Sequence, residues 1–178
     1  MSFNEQLWAP WRLGYLQGEH PGPAAAPTLL RDGADPHCFL CLADAAADDP
    51  SRHVVRRGAR VLTVLNRYPY NNGHLLVAPV RHCGQLKDLS PEEHLAISAE
   101  IVAMVDALGR IMNPAGFNIG LNLGEAAGAG LPGHLHWHIV PRWRGDVNFM
   151  PVLAGIKVIP QSLEALWQSL KAELATPG

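Results

Sequence analysis

The sequence predicts an α+β fold built on a mainly antiparallel sheet. Short strand-like runs follow one another through short links, one long amphipathic pattern interrupts them, and no βαβ unit repeats. Strands joined by short links pair antiparallel, whereas a parallel pair needs a long crossover. A further observation is the run Gly133-His134-Leu135-His136-Trp137-His138-Ile139-Val140-Pro141-Arg142-Trp143, in which histidines alternate with bulky apolar residues. Strand side chains alternate between faces, so the run is expected to set His134, His136 and His138 on one face and Leu135, Trp137 and Ile139 on the core face.

In chain order, residues 1–36 join an aromatic segment (Trp8, Trp11, Tyr15) to a stretch rich in Pro, Gly and Ala. Aromatics this dense are expected to dock on the domain or on a partner subunit, and the Pro-rich stretch reads as a surface linker. A domain core is expected over 37–145, and an extension with a helix over 146–178. The core opens on Cys38-Phe39-Leu40-Cys41, followed by a short Ala-rich piece ending at Pro50. Val54–Val55 and Val61–Leu65 read as strands joined by a turn at Arg57-Gly58. Asn66–Gly73 is a loop, and His74–Val80 is a strand apolar enough to be buried. Ser90-Pro91-Glu92-Glu93 opens the long helix: Ser90 caps, Pro91 takes the first turn, and Glu93 completes a capping box. Leu95, Ile101, Val105, Leu108 and Met112 recur at helical spacing and are expected to face the sheet; Asn113-Pro114 and Gly116 end the helix. Phe117–Leu123 alternates like a strand, Gly124–Gly133 is a glycine-rich loop, and the histidine run follows. Gly145–Met150 is irregular, and a short helix over about 161–174 carries Leu163, Leu166, Trp167, Leu170 and Leu174 on one stripe.

A chain of 178 residues suits one domain with terminal extensions and buries a core without staples. Hydrophobic residues make up 48% and the formal net charge is −2, so no global field collects a nucleic acid polymer; an anionic ligand needs a local site. No apolar run reaches membrane length and the start lacks a signal peptide's apolar core, which leads to the expectation of a cytoplasmic protein without a membrane partner. In a reducing compartment, the pair Cys38 and Cys41 suggests metal or redox chemistry more than a disulfide; Cys83 reads as a small buried hydrophobe.

A neutral imidazole is a competent nucleophile when its other nitrogen is held in a hydrogen bond, and His136 sits in the middle of the row. The glycines of Gly124–Gly133 let main-chain N–H groups approach an anion, so this loop is a candidate phosphate cradle. A histidine attacking phosphorus forms a phosphoramidate that water or another acceptor resolves. Alternatively, the row itself binds zinc, although no acidic residue lies within it and the next one is Asp146. Cys38 and Cys41 make half of a tetrahedral zinc site, for which His82 and His134 are the candidate remaining ligands.

His134-Leu135-His136-Trp137-His138-Ile139-Val140 matches the pattern His-φ-His-φ-His-φ-φ, with φ apolar, and the chain resembles the histidine-triad (HIT) family of nucleotide hydrolases and transferases. Val64-Leu65-Asn66, Gly73-His74-Leu75-Leu76-Val77-Ala78-Pro79 and Arg81-His82 extend the resemblance. Leu7–Arg12, Asn66–His74, Ala126–Gly130, Gly145–Pro151 and Lys157–Pro160 resemble the family's bacterial diadenosine-tetraphosphate phosphorylase branch. The resemblance implies a five-stranded antiparallel sheet with one long helix, a homodimer, and cleavage of a dinucleoside polyphosphate with inorganic phosphate or water as acceptor. It implies His136 as nucleophile, His138 at the bridging oxygen or leaving group, and His74 supporting the nucleophile or the phosphates. It further implies Asn66 on ribose hydroxyls, Asn122 on phosphates, and the N–H groups of Gly128, Ala129, Gly130 and Leu131 on the α-phosphate. Cys38, Cys41, His82 and His134 would bind a structural zinc, and no organic cofactor is implied.

Overall fold

The computed structural model describes residues 29–46, 48, 50–146 and 159–175. The N-terminal aromatic segment, the linker up to residue 28 and the whole stretch from 147 to 158 lie outside them. Five strands form one sheet in the order β1-β2-β3-β5-β4: β1 is Val54–Arg57, β2 Val61–Leu65, β3 Leu75–Pro79, β4 Gly116–Leu121 and β5 Trp137–Arg142. Every neighbouring pair is antiparallel, as expected. Among the described residues three α-helices cover it: α1 is Phe39–Ala45, α2 Pro91–Met112 and α3 Leu163–Ala175. No helix among the described residues is long and apolar enough to cross a membrane.

The sheet is covered on both faces, which is why β2 and β3 are buried at every residue rather than alternately. Val61, Leu65, Leu75 and Val77 point into a core with Ile97, Met104, Ala107 and Leu108 of α2 and Leu166 and Leu170 of α3. Leu62, Val64, Leu76 and Ala78 point the other way, onto Cys38, Leu40, Cys41 and Ala43 of the α1 segment. Trp167 fastens α3 to the sheet edge by donating its indole N–H to the Val54 carbonyl at 2.8 Å.

The capping box of α2 is present: Ser90 Oγ accepts from the Glu93 N–H, and the Ser90 N–H donates to the Glu93 carboxylate at 2.8 Å. The buried stripe of α2 corrects the sequence-based one. Leu95 is 72% exposed, because two residues before Ile97 lies about 200° around the helix from it. A polar position that the pattern passed over, Glu100, is instead buried. It accepts from Thr63 Oγ1 at 2.5 Å and from both Nε and Nη2 of Arg56, so a carboxylate beneath the sheet keeps charged and neutral partners. Helix α1 was not anticipated; Phe39–Ala45 is too short for a helical period to stand out.

Candidate active site and metal centre

The histidine run is a strand only from Trp137. The N–H of His134 closes a turn on the Leu131 carbonyl at 3.3 Å and that of Leu135 goes to the Cys83 carbonyl at 2.7 Å, so His134 to His136 lie ahead of the ladder that begins at Trp137. The apolar members still face the core, with Leu135 and Ile139 buried and Trp137 packed beside them. His138 stands opposite Leu76 on β3 and Gly120 on β4, and directly opposed residues point the same way. His138 therefore faces away from α2, on the side that α1 covers over β1 and β2.

Hydrogen bonds assign the imidazole protons. A carbonyl only accepts, so His136 Nδ1 donates to the His134 carbonyl at 2.8 Å, and its Nε2 keeps a lone pair. His74 Nδ1 accepts from the Tyr70 main-chain N–H at 3.0 Å, so His74 Nε2 carries the proton and donates to His138 Nδ1 at 2.9 Å. That leaves the proton of neutral His138 on Nε2, an atom that is buried and has no hydrogen-bond partner. Burial, and then the neighbouring His136, lower the pKa of His138 and keep it neutral. The site thus offers an unprotonated nitrogen on His136 and an unsatisfied N–H on His138, on rings 5.1 Å apart.

Asn66 lies at the end of β2, where its Nδ2 donates to His74 Nδ1 at 3.2 Å and its Oδ1 accepts from the Tyr68 N–H at 3.0 Å. Asn122 follows β4 with the same parity as Gly120, hence on the face of His138, and lies next to Gly128. In the glycine-rich loop, Gly128 N–H is donated to the Glu125 carbonyl at 2.9 Å and Ala129 N–H to the Gly124 carbonyl at 3.2 Å. Gly130 and Leu131 have no such main-chain bond among the described residues.

Cys38, Cys41, His82 and His134 converge, with one ligand atom from each and all four within 4.8 Å of one another. Cys38 Sγ is 3.2 Å and Cys41 Sγ 3.7 Å from His134 Nδ1, and Cys41 Sγ is 3.3 Å from His82 Nδ1. Tetrahedral zinc with two sulfur and two nitrogen ligands has ligand–ligand edges of roughly 3.3–3.8 Å, and these three sulfur–nitrogen separations lie at that spacing. His134 Nε2 donates to the Pro79 carbonyl at 2.8 Å, which turns the lone pair of Nδ1 toward the sulfurs. Gly84 permits the approach: a Cβ there would sit 2.9 Å from the Pro132 carbonyl oxygen. Burial pushes the Cys38 thiol up to about 12 and draws His134 down to about 4, so without a cation the sulfur keeps its proton.

Sequence reasoning passed over Tyr70, which supplies the N–H to His74 and stacks on His138 at a centroid distance of 5.5 Å and 22° between planes. Its signal was its place in the Asn66–His74 segment that carries the resemblance, four residues before His74. Also passed over was the clasp in which Asn71 donates to the Pro141 carbonyl at 3.1 Å and to Asp146 at 2.9 Å, while Arg142 donates to both oxygens of Asp146.

A five-stranded antiparallel sheet that carries a proton-ordered histidine row beside a Cys2His2 cluster defines a histidine-triad protein, and the comparisons agree. The HIT domain model matches residues 49–145. A protein of Mycobacterium tuberculosis named AP-4-A phosphorylase is 39% identical over 175 residues, which is 96% of this chain and 85% of that one. The asymmetrical bis(5'-nucleosyl)-tetraphosphatase of Schizosaccharomyces pombe is 34% identical over 47% of this chain and 46% of its own. The crystal structure of a Zn-bound histidine triad family protein from Mycobacterium smegmatis superposes with a TM-score of 0.57 at 30% identity, covering 68% of this chain and 83% of that one. The chain belongs to the HIT family.

Proposed function

We propose that this protein cleaves dinucleoside polyphosphates of the diadenosine tetraphosphate type through a nucleotidyl-histidine on His136. The observation that carries the reading is the proton order of the row: a lone pair on His136 Nε2 beside an unpartnered N–H on His138. The 39% identity to a protein named AP-4-A phosphorylase supports the substrate class.

His136 Nε2 attacks the α-phosphorus, the bond to the bridging oxygen breaks, and its electron pair leaves with the polyphosphate. His138 Nε2–H hydrogen-bonds that departing oxygen, and the N–H groups of Gly130 and Leu131, with Asn122, hold the non-bridging oxygens as charge grows. Gly128 and Ala129 then shape the loop rather than bind through their own N–H groups. Inorganic phosphate or water next attacks the same phosphorus and breaks the P–N bond, which yields a nucleoside diphosphate or monophosphate. His74 orients His138, and Asn66 steadies His74 at the ribose end of the site. Cys38, Cys41, His82 and His134 hold a zinc whose contribution is structural. We place this activity in the cytoplasm, where the cysteines stay reduced, and in a homodimer, whose second subunit would cover the exposed Ile119 on edge strand β4.

Intact mass after brief incubation with the dinucleotide tests the mechanism. The wild type should gain one nucleotide, His136→Ala none, and turnover by the variant should fall about 10⁴-fold or more. Full activity in His136→Ala would end the proposal. Products formed with and without inorganic phosphate separate phosphorolysis from hydrolysis.

A further inference from the structure

Tyr70 stands apart from the residues so far given chemistry. It lies in the loop between β2 and β3, and two parts of it touch the relay. Its main-chain N–H fixes the tautomer of His74 at 3.0 Å, and that tautomer sets the proton of His138. Its ring lies 4.7 Å from the ring of His74, tilted by 35°, and 5.5 Å from that of His138, nearly parallel to it at 22°. Tyr70 is half exposed, so the ring covers the histidine pair on one side while solvent remains on the other.

A hydrogen bond at Nδ1 restrains the turning of an imidazole about its Cβ–Cγ bond but leaves the ring to rock within the tolerance of that one contact. His138 is held at Nδ1 by His74, and nothing among the described residues holds Nε2. A flat surface stacked on the ring removes the remaining rotation. We propose that Tyr70 is a positioning residue of the cleavage step: its ring fixes the plane of His138, so that Nε2–H stays aimed at the oxygen that leaves phosphorus. The inference rests on the nucleotidyl-histidine reading and assigns a new residue to it.

A donor aimed at a leaving oxygen matters more as that oxygen carries more charge in the transition state. Two esters of one nucleoside 5'-monophosphate supply the contrast. The 4-nitrophenyl ester departs as a stabilised anion, whereas the unsubstituted phenyl ester departs as a far more basic one. In both, His136 Nε2 forms the P–N bond, the P–O bond breaks with its pair on the aryl oxygen, and the proton needed by phenolate comes afterwards from water. Tyr70→Ala should lower kcat about threefold on the 4-nitrophenyl ester and about thirtyfold on the phenyl ester, with KM little changed. Tyr70→Phe, which keeps the flat ring, should stay within about threefold of wild type on both. Tyr70→Leu fills similar space without a flat face and should repeat the split, so the Leu and Phe pair carries the test if the alanine variant does not fold.

Equal losses on the two esters, or a phenylalanine variant as impaired as leucine, would overturn the role of Tyr70. Wild type must first form the nucleotide adduct on His136 from the 4-nitrophenyl ester. If it does not, the underlying reading falls and this inference with it; if it does and the split is missing, only the inference about Tyr70 falls.

Discussion

Gly73 occupies the position on which the geometry of the relay turns, immediately before His74. Its φ of +79° lies in the left-handed region, and an added Cβ would come within 2.8 Å of Met112 Sδ and 2.9 Å of Pro141 Cγ. The methionine end can yield, but Pro141 is paired with Phe117 in the sheet and cannot move far. Gly73→Ala should therefore cost about 1–3 kcal/mol, seen as a lower urea midpoint, and should lower turnover further by displacing His74. Gly109, in the last turn of α2 with nothing within 4 Å of a Cβ, supplies the opposite sign: Gly109→Ala should stabilise by up to about 0.5–1 kcal/mol. An unchanged midpoint in Gly73→Ala would contradict the close approach. At this scale the residue pattern disclosed which imidazoles matter, while their division into nucleophile, leaving-group partner and metal ligand was implied by the family resemblance and not by the pattern itself. His134, His136 and His138 look equal in the row. They are separated by the main-chain carbonyls of Pro79 and His134 and by the side-chain Nε2–H of His74, and the pattern of the row encodes none of these partners.

Besides the close approach of Gly73 to Pro141, a hydrogen-bonded clasp built on a charged pair holds the loop between β2 and β3 against the end of β5. Asp146 accepts from Asn71 of the loop and from Arg142 of the strand, and Arg142 also reaches Asn118 on β4. The Arg142 guanidinium holds the Asp146 carboxyl down at about 2, below its ordinary 3.8. A carboxylate with a depressed pKa contributes stability that is full above its unfolded value and is lost as pH falls through the folded one. Asp146→Asn should accordingly lower the thermal midpoint at pH 7, and the gap to wild type should close between pH 4 and pH 2. A gap independent of pH would mean that the amide packs badly and that charge is not what fastens the loop. The long-range nature of this clasp explains why the sequence did not reveal it: Asn71 and Asp146 are 75 residues apart. Local signals fared better. The capping box at Ser90 and Glu93 fixed the start of α2, because both partners lie within one turn. Leu95 misled because hydrophobicity alone does not select a face, and α2 turns Glu100 inward to meet Thr63.

Across the whole molecule, the Cys2His2 cluster joins the segment that opens α1 to the end of β3 and to the turn before β5. Cys38 and His134 are 96 residues apart, and Cys41 and His82 are 41 apart. A cross-link closing loops of this length removes much of the freedom of the unfolded chain, on the order of 3 kcal/mol or more. The cluster and the reacting histidines share one face of the sheet, and the sequence placed all four ligands together because the Cys-x-x-Cys spacing and the first histidine of the row each announce a ligand. What spacing did not supply was the division between structural and chemical histidines. In the structure this comes from direction: His134 Nδ1 turns to the sulfurs, whereas the lone pair of His136 is on Nε2 and meets no cysteine. If zinc is structural, removing it with a chelator should lower the thermal midpoint by roughly 5–10 °C, while turnover at low temperature, where the fold persists, stays within about threefold of the zinc-loaded protein. Cys41→Ser should repeat both results without a chelator, and metal analysis should find one zinc per wild-type chain. Immediate loss of turnover with the fold intact, and no nucleotide trapped on His136, would instead make the metal the reacting centre and the histidine row its ligands.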